Sequence, residues 1–412
     1  MQLRKAVSAV AVATVAALVA ACGGGGDSGD DKATVTMWIY PVVVDEAQHR
    51  AYWSSTVDAF KAQNPNVDVK VEIFPWANRD EALATAIAGN KGPDVVYLIP
   101  DQIPKYANAI EPMDSHLDAA AKSDYHENVV KSVTLDGKLM GAPVLTSALS
   151  LVCNKKVFAA AGQTSYPKTW DDIKAMAPAF KSKGYDVLSY DGDLKTTLNV
   201  TFYPLLWQAG GDVFAADGKS VAFGEAPGVQ ALTFLKEMVD GGYINKGPIT
   251  TSPPIEQSRL AQGKVACSWS VTPTDVEKFW GKDNIQVVAP LTNAKQVTYG
   301  TVGSLVMLKG AKNKSATAKW INFATSADNV KKYDTASGFF SPRKSTGALY
   351  AADPVRSEAE KNVQYATVGP LHVKARDIMG ALGPEIQAAL LGQKSPEQAM
   401  QDAVKAANAM LG

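Results

Sequence analysis

The feature that most constrains the fold is an alternation of strand and helix between residues 34 and 99. Thr34–Tyr40 is β-branched and aromatic, and Tyr52–Gln63 carries Val57 and Phe60 at helical spacing before Asn64-Pro65-Asn66, where proline stops a helix. Val67–Ile73 alternates with period two, Glu81–Ala88 reads as a second helix, and Gly89–Pro93 as a turn leading into the apolar run Asp94–Ile99. A β-α-β-α-β order with short connections implies an α/β fold: a mostly parallel sheet flanked by helices, with ligands beyond the carboxyl ends of the strands. Pro100-Asp101-Gln102 falls at such an end.

A second unit starts at Ser150–Asn154. It continues through a helix at Thr169–Ser182 with Asp171 and Asp172 in its first turn, a tight turn at Asp217-Gly218, a helix at Val229–Asp240 and a strand at Gly263–Trp269. Strand patterns recur at Ile285–Ala289 and Ser304–Leu308, and helical ones at Ser315–Thr325 and Ser395–Met410. The 412 residues are too many for one core, so two packed lobes are expected. No segment repeats at a fixed period, which excludes a solenoid.

Lys and Arg number 41, as do Asp and Glu. Zero formal charge gives no electrostatic ground for a nucleic-acid partner. The four histidines (His49, His116, His126, His372) and three cysteines stand singly, without the spacing of a zinc site, so no metal and no cofactor is expected. Gly-x-Ser-x-Gly is absent. A literal Gly-x-Gly-x-x-Gly at Gly24, Gly26 and Gly29 neither follows a strand nor opens a helix.

At the N-terminus, Arg4 and Lys5 precede an uncharged run from Ala6 to Ala21, which is short of the roughly 20 residues of a membrane span and reads as a secretory signal over residues 1–21. The run ends Leu18-Val19-Ala20-Ala21-Cys22, which resembles a bacterial lipobox; that resemblance implies acylation of Cys22, palmitate included, as the mature N-terminus. Several acyl chains hold a protein stably at a membrane. Residues 22–33, rich in Gly, Ser and Asp, form a flexible tether.

Longer motifs extend along nearly the whole chain: Asn154-Lys155-Lys156-Val157-Phe158, Pro167-Lys168-Thr169-Trp170-Asp171-Asp172, Trp207-Gln208-Ala209-Gly210-Gly211-Asp212, Gly92-Pro93-Asp94-Val95, Gly137–Pro143, Gly263-Lys264-Val265-Ala266 and Ser395-Pro396-Glu397-Gln398-Ala399. In order and spacing the chain resembles the extracellular solute-binding proteins of bacterial ABC importers, in the carbohydrate-binding family that includes maltose-binding protein. The resemblance implies the two-lobe periplasmic-binding-protein fold, with residues 34–147 plus 291–338 in one lobe and 148–290 plus 339–412 in the other. Crossovers are expected near 147–150, 289–292 and 338–342. It also implies a monomeric, non-enzymatic binder that captures a saccharide by hinge closure and delivers it to a permease. It would be lipid-anchored on the outer face of the cell membrane. Alternatives are another solute, such as a phosphorylated polyol, which would call on Arg343 or Arg376, and a secreted glycosidase.

A saccharide site needs planar hydrogen-bonding groups and aromatic platforms. Asp101 matches by position an acidic sugar contact in the family, or else caps a helix. Ser147 stands before the first crossover, where relatives carry a larger acidic residue. Asn199 and Tyr203 lie in a segment that lines the cleft in relatives; Trp207 reads equally as core. Trp269, Ser270 and Thr272 follow a strand end. Tyr40 and Trp76 follow the first two strands, each a platform or a core ring. Gly303 and Ser304 read as a small-residue loop, and Arg376 as a cleft cation. Cys153 and Cys267 both fall in second-lobe strands, either bridged, as is common outside the cytosol, or as buried thiols.

Overall fold

The computed structural model describes residues 32–412 except 44, 77 and 78. Cys22, the signal run and nearly all of the tether lie outside the described residues.

In the first lobe the strand Ala33–Ile39 buries Val35, Met37 and Ile39 while the residues between them face outward. It pairs in parallel along its length with Val67–Ile73, from Ala33↔Val67 to Ile39↔Ile73, and on its other side with Val95–Leu98. The helix between the first two strands, Glu46–Gln63, begins earlier than its apolar pattern suggests, because the Asp45 side chain accepts the Gln48 N–H and caps it. Beyond Val95–Leu98 the sheet changes direction. The strand Val302–Leu308 runs antiparallel to Val95–Leu98 and also to Ala142–Thr146 and Ile110–Glu111.

The expected mostly parallel sheets are therefore mixed. In the second lobe, ordered Ile285–Val288, Leu151–Asn154, Val265–Ser268, Asp186–Leu188, just the last pairing is parallel. The physical reason is connectivity. A local strand–helix–strand crossover fixes a parallel, right-handed return, whereas Val302–Leu308 arrives from the other lobe and is free of that constraint. Cys153 and Cys267 sit directly opposite each other in the antiparallel pair and form a disulfide, S–S 2.02 Å.

Each sheet is covered by helices. In the second lobe these include Trp170–Ser182, opened by a reciprocal Thr169–Asp172 capping box, with Ala226–Asp240 and Pro396–Leu411. They also include the 16-residue helix Ala375–Leu390, which the sequence reading missed. Its interior Pro384 removes a backbone donor and masks the helical pattern.

One core draws on Ala33 to Leu145 and Val302 to Tyr333, around Trp53, Phe60 and Trp320. A second draws on Leu151 to Leu291 and Ile378 to Ala407. The chain passes between them on strands lying side by side: the Ser147 and Leu149 N–H groups donate to the Thr301 and Tyr299 carbonyls (2.9 and 2.8 Å), and Thr146 and Phe340 exchange two bonds of 2.8 Å. The middle crossover thus lies at 299–302 rather than at 289–292, because the Thr292 N–H is bound to the Lys168 carbonyl (2.8 Å) inside the second lobe. Among the described residues no helix is long and apolar enough to cross a membrane.

Candidate functional site

The carboxyl ends of the three parallel strands of the first lobe present Tyr40, Trp76 and Asp101 along one edge. The Tyr40 ring stacks on Trp76 (centroids 5.0 Å apart, 27° between planes), and the Arg79 guanidinium lies 4.7 Å from the Trp76 ring centre. Burial, partly offset by Arg79, pushes the Tyr40 phenol up to about 12, so it is a neutral hydroxyl. Asp101 projects from the short turn Pro100–Gln102. That turn is held from behind: the Gln102 side chain accepts the Ile99 N–H (3.2 Å) and donates to Asp80 (2.5 Å).

The facing wall comes from the second lobe. It is made by the segment 190–201 and by one face of the helix Ala375–Leu390, with Tyr299 and Thr301 of the crossover and the Gly369-Pro370 turn also contributing. Asp191 and Asp193 brace the loop instead of presenting free carboxylates. Asp191 accepts from the Asp193 N–H (3.0 Å), the Thr196 hydroxyl (2.9 Å) and the Ser252 hydroxyl, and Asp193 from the N–H groups of Lys195 (3.0 Å) and Ser252 (3.2 Å). Between the walls lies a cavity of about 470 Å³.

The Arg376 guanidinium crosses the cleft to Asp101 (Nη2–Oδ2 2.5 Å). This bond and the charge of Asp101 raise the Arg376 pKa. Asp101 has its other oxygen, Oδ1, buried without a partner; so is Asn199 Oδ1, and both residues line the cavity. A buried acceptor left unpaired is costly. The arrangement therefore favours a ligand that brings hydrogen-bond donors to both lobes, as a polyol does.

Of the residues singled out in the sequence, Asp101, Asn199 and Arg376 line the cavity. Tyr40 and Trp76 share the sheet edge with Arg79 but are not on the cavity wall. The other expectations are corrected. Ser147 is a crossover residue whose Oγ accepts the Thr301 N–H (3.0 Å). Tyr203 is wholly buried in the second core with its ring 5.8 Å from that of Trp207, itself a core residue. Trp269 is also in that core and donates its indole N–H to the Thr201 carbonyl (3.0 Å). The Ser270 N–H donates to the Ser268 hydroxyl (3.3 Å). Thr272 caps the helix Pro273–Trp280, its N–H and hydroxyl both donating to Asp275 (2.7 and 2.8 Å). Gly303 and Ser304 lie at a bulge inside a buried strand, not in a loop; a Cβ on Gly303 would come 2.1 Å from the Tyr97 hydroxyl. Arg343, the other candidate cation, is buried in the first lobe against Tyr125 (2.9 Å) and the Thr325 carbonyl (2.5 Å).

Tyr190, Tyr299 and, apart from Arg376, the cavity face of Ala375–Leu390 were missed. A signal for the nearby wall existed in Gly369-Pro370, a turn dipeptide. A Cβ on Gly369 would lie 2.3 Å from Asn199 Oδ1, so the glycine lets the two segments touch.

The chain matches the family described as bacterial extracellular solute-binding protein over residues 45–331. A putative binding protein of Brucella abortus is 24% identical across 93% of this chain and 94% of its own length. The diacetylchitobiose binding protein of Streptomyces coelicolor is 32% identical over 41% of each chain. In three dimensions the cyclic alpha-maltosyl-1,6-maltose binding protein of Arthrobacter globiformis superposes with a TM-score of 0.80 at 21% identity, over 92% of this chain and 98% of that one.

Proposed function

Because the chain belongs to the bacterial extracellular solute-binding protein family, we propose that it is the substrate-binding component of an ABC importer, taking a saccharide between its lobes and presenting it to a membrane permease. The observation that carries this reading is the cavity bounded by both lobes, with unpaired acceptors on each (Asp101 Oδ1 and Asn199 Oδ1). A ligand that satisfies both is bound tightest when the lobes close, and closure is selected by that differential affinity. The saccharide-binding relatives in Streptomyces and Arthrobacter support the ligand class. The protein acts as a monomeric binder, not an enzyme.

The test is a thermal-shift screen over mono- and oligosaccharides followed by incubation with each hit. A ligand selective for the folded state raises its apparent stability by mass action. The reading expects a shift with recovery of the ligand unchanged; turnover or the absence of any saccharide shift contradicts it.

Lipid attachment at Cys22 is part of the same proposal, carried by Val19-Ala20-Ala21-Cys22 behind a charged, then apolar leader. Cys22→Ala is expected to move the protein from membrane to soluble fractions; retention in the membrane contradicts the anchor.

A further inference from the structure

Asp334 lies one turn from the end of the helix Ala327–Ser337, next to the third crossover. It is wholly buried, and neither carboxylate oxygen has a hydrogen-bond partner. Burial holds its pKa well above the usual carboxylate range, with no neighbouring cation to offset it. An unpaired carboxylate out of water is far costlier than a carboxylic acid. This packing therefore selects the neutral acid. Asp334 is not on the cavity wall, so solute contact does not explain it.

The groups around the carboxyl are tyrosines, and they come from both sides of the hinge. From the first lobe come Tyr52 in the helix Glu46–Gln63, Tyr97 in the strand Val95–Leu98 and Tyr333 on the same helix; burial raises the phenol pKa of each, and a charge on Asp334 raises it further. From beyond the third crossover comes Tyr350, which feels that charge too. Its hydroxyl donates to the backbone carbonyls of Asp334 (2.9 Å) and Phe339 (2.8 Å). Its ring packs with Phe340 (centroids 5.8 Å apart) in a core shared with Val152, Val265, Ile285 and Val287 of the second-lobe sheet. The helix of Asp334 instead packs into the first core through Val330 and Tyr333. Hinge bending therefore moves Tyr350 relative to Asp334. The remaining charged groups on these elements are engaged or exposed. Arg356 lies over the Tyr350 ring (5.3 Å), Lys344 donates to the Ser123 carbonyl (3.2 Å), and Lys314 pairs with Glu111 (2.8 Å). Lys319, Asp328, Lys331 and Lys332 are exposed, and the strand Ala142–Thr146 has no titratable side chain. His49, its ring centre 6.1 Å from that of Tyr333, is held low by burial and Arg50.

We propose that Asp334 is a pH-sensitive latch on the hinge: as a neutral acid it stays under the tyrosine cover, and loss of its proton drives the lobes toward a more open arrangement in which the carboxylate meets water. The reason is linkage. A conformation that buries the acid holds its proton more tightly than one that hydrates it, so raising pH shifts the population toward the hydrated one. The arrangement described here, with Arg376 bridged to Asp101 across the cleft, is the one in which the cover is complete. Opening the hinge is the motion that lifts Tyr350 from it. The latch does not depend on which solute fills the cleft.

The experiment is small-angle neutron scattering of the full chain without solute, any detergent contrast-matched, between about pH 5 and 9, the range into which burial can carry a carboxyl. Circular dichroism at each pH is the folding control. The radius of gyration of wild type is expected to rise reversibly with pH while the helical signal holds. Asp334→Asn, which stays neutral, is expected to keep the low-pH radius throughout. Tyr350→Phe, which loses the hydroxyl tying the cover down, is expected to open at lower pH than wild type. A constant radius in wild type overturns the latch, as does the same rise in Asp334→Asn or a rise accompanied by loss of helical signal. Should Asp334→Asn fail to fold, Tyr350→Phe decides: an unmoved transition in it overturns the proposal. Because no sugar is present, failure of the saccharide reading leaves this result standing.

Discussion

The two lobes share an architecture, a mixed sheet between helices, but they are held together differently. The second lobe is stapled by Cys153–Cys267 across its central strand pair, and its buried Asp186 is paired with Arg259 (2.6 Å). The first lobe has no disulfide among the described residues and, beside the paired Arg343 and Asp124, buries His49 and Asp334 without an ionic partner. His49 is wholly buried, with Nδ1 accepting the Val43 N–H (3.2 Å) and Nε2 unpaired. Asp334, at the end of the helix Ala327–Ser337 that leads into the third crossover, is wholly buried with both carboxylate oxygens unpaired, and burial holds it well above the usual carboxylate range. The contrast makes redox conditions the sharper probe of the second lobe and pH that of the first, although burial raises the Asp186 pKa as well.

The largest effect expected is on the staple. The two cysteines are 114 residues apart, and closing a loop of about 100 residues is worth up to about 4.7 kcal/mol in the chain-entropy model. Cys153→Ala/Cys267→Ala, or reductant, is expected to lower the denaturant midpoint of the second lobe while the first lobe's transition stays in place. A single unshifted transition breaks the comparison.

Next is Tyr203. As a core ring its replacement by alanine is expected to cost about 3–5 kcal/mol, seen as a lower Tm, whereas Tyr203→Phe removes just a buried hydroxyl that has no partner and is expected to leave stability and ligand affinity intact. Weakened binding in folded Tyr203→Phe would return this residue to the cleft.

The first lobe is probed by acid. Burial, reinforced by Arg50, depresses His49 from its ordinary value near 6.5 to about 4. A group with a lowered folded-state pKa contributes its stability above the unfolded value and loses it as pH falls through the folded one. Between about pH 6.5 and 4 the loss is about 3 kcal/mol, and protonation also removes the acceptor for the Val43 N–H. His49→Gln is expected to flatten that part of the pH profile; an unchanged profile assigns the acid sensitivity elsewhere. Asp334 works in the opposite sense, its contribution falling as pH rises above about 4.

The smallest effect concerns the bridge between the lobes. The Arg376 side chain is 73% exposed, so its pair with Asp101 is screened and worth no more than about 1 kcal/mol. Raising salt is expected to weaken binding of an uncharged sugar severalfold at most, and Arg376→Gln to abolish that salt dependence.

Legibility in the sequence followed local signal strength. Val67–Ile73 was readable to the residue because its alternation is complete and Asn64-Pro65-Asn66 bounds it. Asp101 was findable because a strand end is a local feature. The antiparallel direction of Val302–Leu308 was not, since it depends on a connection running through the other lobe. The aromatic candidates were ambiguous for a related reason: Tyr203, Trp207 and Trp269 carry the same composition whether they line a cleft or fill a core, and just the tertiary packing decides. Tyr190 and the glycine face of Ala375–Leu390 were silent because neither a lone tyrosine nor two glycines beside a proline announces a wall.

The central claim, that both lobes hold the ligand, is tested most directly by calorimetric titration of the best saccharide into Asp101→Asn and Asn199→Ala, one variant for each wall. Losing a hydrogen bond to a charged group costs about 1.5–3 kcal/mol and to a neutral one about 1 kcal/mol. The account therefore expects roughly ten- to a hundredfold weaker binding in Asp101→Asn and about fivefold in Asn199→Ala, with both variants folded. Wild-type affinity in either one would mean that the ligand is held by a single lobe, and would contradict it.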